Sequence, residues 1–438
     1  MTATSAGAPQ QSVVEHVVVA PPTSLRRRIV TGTVLVLLGL VCALLLGLSA
    51  KSGRDASFQL AAADARFAVP DLVLPARVTA IVLGLVVMTL GLWQIARGFG
   101  RRSAPWVIAV ASVCFVVTFL CWASTGATSS KIDLVGLLQN TLATAVPLIL
   151  GALAGILCER SGVINVAIEG QMLAGAWAGA LVGTLAANLG VGLVAAMVAG
   201  GLMGLLLAVF SIRYLVNQVV LGVVLNVLAL GVTGFLYDAL MQPHQDSLNN
   251  PQIFSNIAIP VLSDIPVIGP LFFDVNIIVY LTYVLIVVVD VALFRTRWGL
   301  RTRAVGEHPR AADTVGIKVL AIRYRNVVMG GAVAGLAGAY LTIGAVGAFS
   351  KNISSGKGFI ALAAVIFGGW SPRAAIGAAL LFGFSDALGT VLSFTATPVT
   401  IPSNLLGMLP YLATLFAVAG LVGRVRAPAA DGEPYVKG

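Results

Sequence analysis

The sequence predicts an all-α membrane protein that crosses the bilayer many times. Of its 438 residues, 58% are hydrophobic and only 10% are charged, whereas a soluble domain carries about 25% charged residues. Apolar runs recur along the whole chain, and a run of about 18 residues is long enough to cross a bilayer as a helix. The chain therefore has little room for a separate soluble domain.

The apolar runs predict about twelve transmembrane segments. Residues 1–24 are rich in Ala, Pro, Gln, Ser and Thr, and we expect a disordered cytoplasmic tail over 1–29. The apolar run after Arg28 is longer than a signal-peptide core of about 7–15 residues, so the first helix is expected to stay uncleaved. The segments are expected at 30–50, 73–93, 105–123, 134–157, 163–187, 190–212, 216–240, 274–294, 325–348, 358–370, 373–393 and 404–423.

The distribution of basic residues predicts the orientation. Residues 241–273 contain no Lys or Arg, whereas 295–325 contain eight. Cytoplasmic loops carry the excess of Lys and Arg, so we expect loop 295–325 and both termini inside, with a cytoplasmic tail over 425–438. The net charge of +10 belongs to such short loops, and no nucleic-acid partner is expected. Five basic residues run against the bias: Lys51, Arg54, Arg66, Arg77 and Lys131.

Segment 163–187 begins with polar residues at membrane depth. A carboxylate there costs about 2.5–3.5 kcal/mol, so Glu169 is expected to have a use. One interpretation is a broken helix that lines a substrate pathway with Asn165, Glu169 and Gly170. The other is a set of structural hydrogen bonds between helices. Asn165 and Glu169 are four residues apart, which places them on one face of a helix, whereas Gln171 is expected to point elsewhere.

Segment 358–370 is the second irregular segment. It is too short for a hydrocarbon core of about 30 Å at about 1.5 Å per residue. Glycines and Pro372 flank it. Paired short or broken segments in the two halves of a transporter indicate a solute site near the middle of the membrane.

Loop 295–325 predicts a short helix. Pro309 is suited to its first position and Gly316 to its end. Ala311, Ala312 and Val315 are expected on one side of the helix, and Arg310 and Asp313 on another. Such a helix could dock into a groove on a soluble partner, or the loop could be only a positively charged anchor.

The sequence carries no sign of an enzyme. The phosphate-binding pattern needs Ser or Thr after Gly-Lys, and the nearest match, Gly356-Lys357-Gly358, fails. The three histidines have no metal-ligand spacing, and no nucleophile lies beside a base in the manner of a catalytic site. We therefore expect no catalytic residue, metal site or cofactor on this chain.

Three motifs together resemble a known family. They are Glu159–Met172, Arg303–Gly316 and Gly358–Gly368, and they resemble the permease subunits of ABC importers for branched-chain amino acids, ribose-type sugars and nucleosides. The first motif is most similar to the nucleoside branch, which is linked to BmpA-type lipoproteins. The resemblance covers a core of residues 134–424. It leaves 30–133 as extra N-terminal transmembrane segments without an assigned role.

The resemblance implies a function and partners. Arg310, Ala311, Ala312, Asp313 and Gly316 would form the coupling helix that meets a separate ABC ATPase, which would carry ATP and Mg²⁺. A second permease subunit, as a heterodimer, and an extracytoplasmic substrate-binding lipoprotein are also implied, in the plasma membrane.

Two other functions are weighed against nucleoside import. No residue distinguishes a nucleoside from a ribose-type sugar, since Asn and Gln suit both. An ion-coupled secondary transporter would need a dense intramembrane relay of carboxylates or histidines. The chain offers only scattered carboxylates, at Glu169, Asp238, Asp290 and Asp386, which argues against it.

Overall fold

The computed structural model describes residues 25–51, 53–61, 69–100, 103–126, 131–395, 397–399, 402–412 and 426–437. Helices dominate this part of the chain, as predicted. π-helical turns extend four helices at Val41–Leu46, Val209–Arg213, Tyr237–Met241 and Tyr340–Val346. The elements in chain order are α1 (Leu25–Leu40), α2 (Gly47–Ser49), β1 (Asp55–Gln59), β2 (Leu72–Pro75), α3 (Ala76–Ala96), α4 (Ala104–Ser124), β3 (Lys131–Asp133), α5 (Leu134–Glu159), α6 (Ile168–Leu185), α7 (Leu189–Ala208), α8 (Gln218–Leu236), α9 (Gln245–Leu248), β4 (Asn256–Ala258), α10 (Ile268–Phe272), β5 (Asp274–Asn276), α11 (Ile277–Arg295), α12 (Arg297–Glu307), α13 (Pro309–Thr314), α14 (Val319–Ala339), α15 (Lys357–Phe367), α16 (Pro372–Phe394) and α17 (Ser403–Leu406).

Nine helices in the described ranges are long and apolar enough to cross a membrane. They account for nine of the predicted segments, and α6 and α15 account for the two irregular ones. Most of the predicted segment 404–423 lies outside the described residues. The all-α polytopic class is therefore confirmed, whereas the count of about twelve stays a prediction.

The chain divides into two compact units. The first comprises Met1–Ser52 and Ala76–Trp122. In it α1 begins at Leu25, so the expected boundary of the disordered tail at residue 29 is wrong, while residues 1–24 lie outside the described part. Within the first turn of α1, Arg28 Nη2 donates to the carbonyl of Ile95 at 2.8 Å, and a basic side chain near a helix C-terminus is favourable.

The second unit comprises Gly53–Pro75 and Ala123–Gly438. Its centre is formed by α5 and α14, the most buried of the nine spans. Small residues allow α14 to approach its neighbours closely. A Cβ placed on Gly335 would lie 2.2 Å from the carbonyl oxygen of Ala196, and one on Gly200 would lie 2.3 Å from that of Gly331. The packing of α7 on α14 therefore depends on glycine.

Two small sheets accompany the second unit, and the sequence did not predict them. The order of the first is β2-β1-β3, with β1 antiparallel to β2 and parallel to β3. The second is the antiparallel pair of β4 and β5. Asp133 ends β3 and caps α5, since its side chain accepts from Gly136 N at 2.8 Å, which satisfies one free amide of the first helical turn.

Candidate functional site

The chain breaks its helical path between α5 and α6. Helix α5 ends at Glu159 and α6 begins at Ile168. Gly162 has φ +85°, a conformation that favours glycine, and Ser161 Oγ donates to the carbonyl of Cys158 at 2.7 Å. The predicted irregular start of segment 163–187 is therefore confirmed. We call residues 160–167 the α5–α6 turn.

Glu169 holds the beginning of the short helix α15. Its carboxylate accepts from Ser354 Oγ at 2.5 Å, from Gly356 N at 2.8 Å and from Gly358 N at 2.6 Å. The side chain is only 6% exposed. A carboxylate at a helix N-terminus meets unpaired amides and the positive end of the helix dipole. This arrangement offsets the cost of burying the charge.

The residues just before the α5–α6 turn and at its start hold the other end of α15. Trp370 Nε1 donates to the Glu159 carboxylate. Arg160 Nε donates to the carbonyl of Trp370 at 2.9 Å, and Arg160 Nη2 donates to that of Gly369 at 3.3 Å. Gly369 and Trp370 lie two and three residues after the end of α15, and a cation is favourable near a helix C-terminus. The two irregular segments found in the sequence are thus bound to each other at both ends of α15.

Asn165 pairs with Gln171 through both of their amide groups. Asn165 Nδ2 donates to Gln171 Oε1 at 3.0 Å, and Gln171 Nε2 donates to Asn165 Oδ1 at 3.2 Å. Both side chains are fully buried. Asn165 lies before α6 begins, so the prediction that Asn165 and Glu169 share a helical face is wrong. The prediction that Gln171 points elsewhere is also wrong, because the chain is not helical at Asn165.

Gly170 allows α6 to lie directly on α8. A Cβ at this position would lie 2.9 Å from the carbonyl oxygen of Leu225. Gly170 N donates to Asn226 Oδ1 at 2.8 Å, and Asn226 Nδ2 donates to the carbonyl of Val166 at 2.9 Å. Asn226 therefore ties α8 to the α5–α6 turn. That Asn165, Glu169 and Gly170 line a substrate pathway stays a prediction.

A cavity of about 140 Å³ lies beside the beginning of α15. Its walls come from α5, α15, α16, the loop before α15 and the stretch after α17. They combine charged, hydroxyl and aromatic side chains. The lining residues are Thr144, Leu148, Ser355, Lys357, Ile360, Phe382, Asp386, Gly407, Pro410 and Tyr411.

The short helix predicted in loop 295–325 is present as α13. Arg310 and Ala311 are exposed, and Val315, just after the helix, is 74% exposed. Ala312, however, is only 4% exposed and packs inward. The prediction that Ala312 lies on the same side of the helix as Ala311 and Val315 is therefore wrong. The turn ends at Gly316, whose φ of +81° suits glycine.

The sequence analysis did not identify several residues of this site. Ser354 and Trp370 bind the two buried carboxylates, and neither stands out from its neighbours in the sequence. Lys357 and Asp386 were assigned no binding role, although a charge beside or within an apolar run is the signal that singled out Glu169. Asn226 gave the same signal, as an amide inside the apolar run 216–240.

The chain is similar to a known protein family and to several known proteins. A family model described as "Branched-chain amino acid transport system / permease component" matches residues 137–419. The guanosine ABC transporter permease protein NupQ of Bacillus subtilis is 43% identical over 305 residues, which cover 68% of this chain and 95% of that protein. The nucleoside ABC transporter permease protein NupC of Lactococcus lactis is 36% identical over 308 residues, which cover 69% and 96%. No solved structure matches.

The fold and the site define a multi-pass membrane permease, a transport component rather than an enzyme. Within that class, the chain belongs to the family of permease components of branched-chain amino acid transport systems. A third similar protein is named for a different substrate. The putative glucose ABC transporter permease protein TsgC13 of Haloferax volcanii is 36% identical over 253 residues, covering 58% of this chain and 76% of that protein.

Proposed function

We propose that this chain is the permease subunit of an ATP-binding-cassette importer for nucleosides in the plasma membrane, with both termini inside. The relatives NupQ and NupC are named as guanosine and nucleoside permeases. A separate ATPase supplies ATP and Mg²⁺, and an extracytoplasmic lipoprotein delivers the solute. A second permease subunit completes a heterodimer. Two different nucleoside permeases of Lactococcus lactis, NupB and NupC, are similar to this chain, which supports such a pair.

The cavity beside α15 carries the proposal. Its lining offers Asp386, Lys357 and Ser355 for the hydroxyl groups and base edges of a solute. It also offers the rings of Phe382 and Tyr411. A nucleoside has both polar edges and a flat ring, and ligand sites combine apolar walls with a few placed polar groups in this way.

The two charged residues that line the cavity, Lys357 and Asp386, are available to bind a solute. Within the described residues, neither Lys357 nor Asp386 has a salt bridge within 4.0 Å. Both lie within helices that belong to the bundle. Ionisable groups inside a membrane bundle usually pair with each other or mark a solute pathway.

Glu169 acts on this cavity indirectly. Its carboxylate fixes Gly356 and Gly358, and Lys357 lies between them. Ser355, another lining residue, adjoins Ser354, which also donates to Glu169. Of the predicted pathway residues, Glu169 therefore positions the cavity wall in this proposal. Asn165 pairs with Gln171 on α6, and Gly170 binds Asn226 on α8, so these two support the helix that carries Glu169.

A sugar importer is the second candidate, and one observation favours it. The glucose permease TsgC13 is as similar in identity as NupC, although over a shorter length. An ion-coupled mechanism is less consistent with the contacts. Asp238 pairs with Lys351 at 2.6 Å and Asp290 with Arg373 at 2.7 Å. Because Glu169 is bound by backbone amides, these carboxylates do not form a relay.

The outer side of α13 is proposed to meet the ATPase. Arg310 and Ala311 are exposed there, and Val315 adds an apolar surface. Asp313 and Gly316 shape the end of the helix, while Ala312 holds it from within. We expect Arg310→Glu to lower transport per ATP hydrolysed while the protein stays in the membrane. Normal coupling in this variant would make the loop only a positively charged anchor.

Transport by the assembled complex tests the proposed substrate. Membrane vesicles that contain the complex, its lipoprotein and ATP are supplied with labelled nucleosides, ribose and glucose. Uptake of nucleosides that requires ATP is the expected result. Uptake of a sugar alone would favour the second candidate, and uptake driven by a Na⁺ or H⁺ gradient without ATP would contradict an ATP-driven importer.

The role of the cavity is tested by removing one charge. We expect Asp386→Asn to lower nucleoside transport per complex at least tenfold. The matched control is Asp238→Asn, which removes the same charge from a half-exposed pair with Lys351 and is expected to have little effect. If the two variants transport equally at equal complex abundance, Asp386 does not contribute to the solute pathway.

A further inference from the structure

The C-terminal segment, which we define as residues 426–437, is bound along its length to loop 295–325 and the beginning of α14. Ala430 N donates to the carbonyl of Gly306 at 2.9 Å, and Ala429 N donates to Glu307 Oε2 at 3.1 Å. Arg323 Nη1 donates to the carbonyl of Glu433 at 2.9 Å. The sequence predicted only a cytoplasmic tail here, because the residues are polar and include Gly and Pro.

Tyr435 is the apolar anchor of this segment. It is 7% exposed and belongs to a small buried cluster in which α12, α13 and α14 meet. The neighbouring Val436 is 68% exposed and outside this cluster. The Asp313 carboxylate of α13 also lies close to Tyr435, where desolvation and this charge raise the pKa of the phenol. The buried members are Val305, Ala312, Val319, Ile322 and Tyr435.

The other side of the C-terminal segment touches the α5–α6 turn. A Cβ placed on Gly432 would lie 2.6 Å from Ile164 Cδ1. A Cβ placed on Gly162 would lie 3.0 Å from the carbonyl oxygen of Ala430. Gly432 has φ +79°, so a larger residue would be strained there as well as crowded. The segment thus bridges α13 and the α5–α6 turn, whose Arg160 binds the residues after α15.

Helix α13 depends on this bridge for its position. It has only six residues, and an isolated helix of that length is not stable in water. Ala312 is its one buried residue, and Tyr435 is part of the cluster that buries Ala312. Loss of the Tyr435 ring would therefore remove packing from around the one buried residue of α13.

We propose that the C-terminal segment is a positioning element for energy coupling, which links α13 to the α5–α6 turn and transmits the movement of α13 to it. This inference rests on the proposed function, in which α13 meets an ATPase. Tyr435 acts through α13 and contacts neither solute nor nucleotide. Its removal is therefore expected to change the efficiency of coupling rather than the binding of ATP.

The test compares Tyr435→Ala with Val436→Ala in the full complex. Both variants shorten a side chain at neighbouring positions, but only Tyr435 is buried. Two quantities are measured: solute transported per ATP hydrolysed, and maleimide labelling of a cysteine introduced by Ala312→Cys. All four native cysteines are buried, so background labelling is expected to be low.

We expect Tyr435→Ala to increase labelling at position 312 and to lower solute transported per ATP at least threefold, with ATP hydrolysis retained. Val436→Ala should behave like the parent. Deletion of residues 427–438 should repeat the effect of Tyr435→Ala. Increased labelling with an unchanged ratio would show that the segment only covers α13, and unchanged labelling would show that Tyr435 does not hold it. A parent complex that transports no nucleoside would instead count against the proposed function.

Discussion

At the scale of single residues, the buried carboxylate of Glu169 is held by three donors. Gly356 N and Gly358 N come from the backbone, and Ser354 Oγ completes the set. Hydrogen bonds to a charged group contribute about 1.5–3 kcal/mol each. The same carboxylate therefore fixes the loop before α15 and gives the short helix a defined start.

Glu169→Gln is expected to destabilise the protein by about 1.5–3 kcal/mol, because the amide keeps the size of the side chain but weakens charge-assisted bonds and turns an NH₂ group toward donors. Thermal unfolding in detergent measures the change. Asp246→Asn, an exposed change from acid to amide, is the control. If transport per complex fell and the melting temperature stayed the same, the side chain would contact solute rather than hold the loop.

The carboxyl group of Asp431 is expected to make the packing of the C-terminal segment depend on pH. Burial, and next the charge of Glu159, raise the pKa of Asp431 from 3.8 to about 8. The packed segment therefore retains a proton that a released segment loses, so packing is strongest below about pH 4 and weakens as the pH rises toward 8. Asp431→Asn should remove this dependence.

The mobility of a spin label at Val436→Cys measures release of the segment, because this position is exposed and next to Tyr435. The expected result is rising mobility between pH 5 and 8 in the parent and a flat profile in Asp431→Asn. Equal slopes in the two proteins would assign the titration to another group.

At the scale of elements, glycine decides how closely the long helices approach. Gly200 on α7 faces Gly331 on α14, and a Cβ at Gly200 would lie 2.3 Å from the Gly331 carbonyl oxygen. This distance is too short for any carbon–oxygen contact, so the helices would have to separate. Overpacking of this kind costs about 1–3 kcal/mol.

Gly200→Ala is accordingly expected to lower the melting temperature. Gly377→Ala on α16 is the matched control, because a Cβ there meets nothing within 4 Å. Alanine is favoured over glycine inside a helix by up to about 1 kcal/mol, so the control should be neutral or stabilising. The packing argument fails if the two variants melt alike.

The sequence predicted the helices well, because a long apolar run has few other stable forms in a bilayer. It also located both irregular segments, from Glu169 and from the length of 358–370. It did not predict their mutual contacts. Helical spacing was assumed from Asn165 to Glu169, but the helix starts only at Ile168, and this start depends on partners that are distant in sequence, such as Gln218, which accepts from Ile164 N at 2.7 Å.

The packing of the C-terminal segment is the largest feature of the fold that the sequence did not predict. Its composition is that of an exposed tail, and a single aromatic residue, Tyr435, provides its apolar anchor. The surface that buries Tyr435 is assembled from α12, α13 and α14, which only the folded chain brings together. Periodicity within the segment could not reveal such a surface.

At the scale of the whole molecule, the chain is a transport component, and we expect a separate protein to bind the ATP. Its sequence lacks the phosphate-binding pattern, and its family is one of permease components. We therefore predict that the purified chain in lipid hydrolyses no ATP, whereas the complex with its ATPase does. Sustained hydrolysis by the chain alone, after contaminating ATPases are excluded, would contradict this assignment.

The attachment of α15 at both ends has a mechanical consequence. Glu169 holds its first residues, and Glu159 and Arg160 hold the residues that follow it. All three lie within eleven residues of one another in the chain, so α15 cannot slide along its axis without breaking bonds at both ends. A helix of eleven residues is about 16 Å long, so a tilt of about 10° about one end displaces the other by about 3 Å. A tilt of this size about the end held by Glu159 and Arg160 would change the space beside Lys357, but it would also break the bonds from Gly356 N and Gly358 N to Glu169. The attachment at both ends therefore resists tilting of α15 as well as sliding.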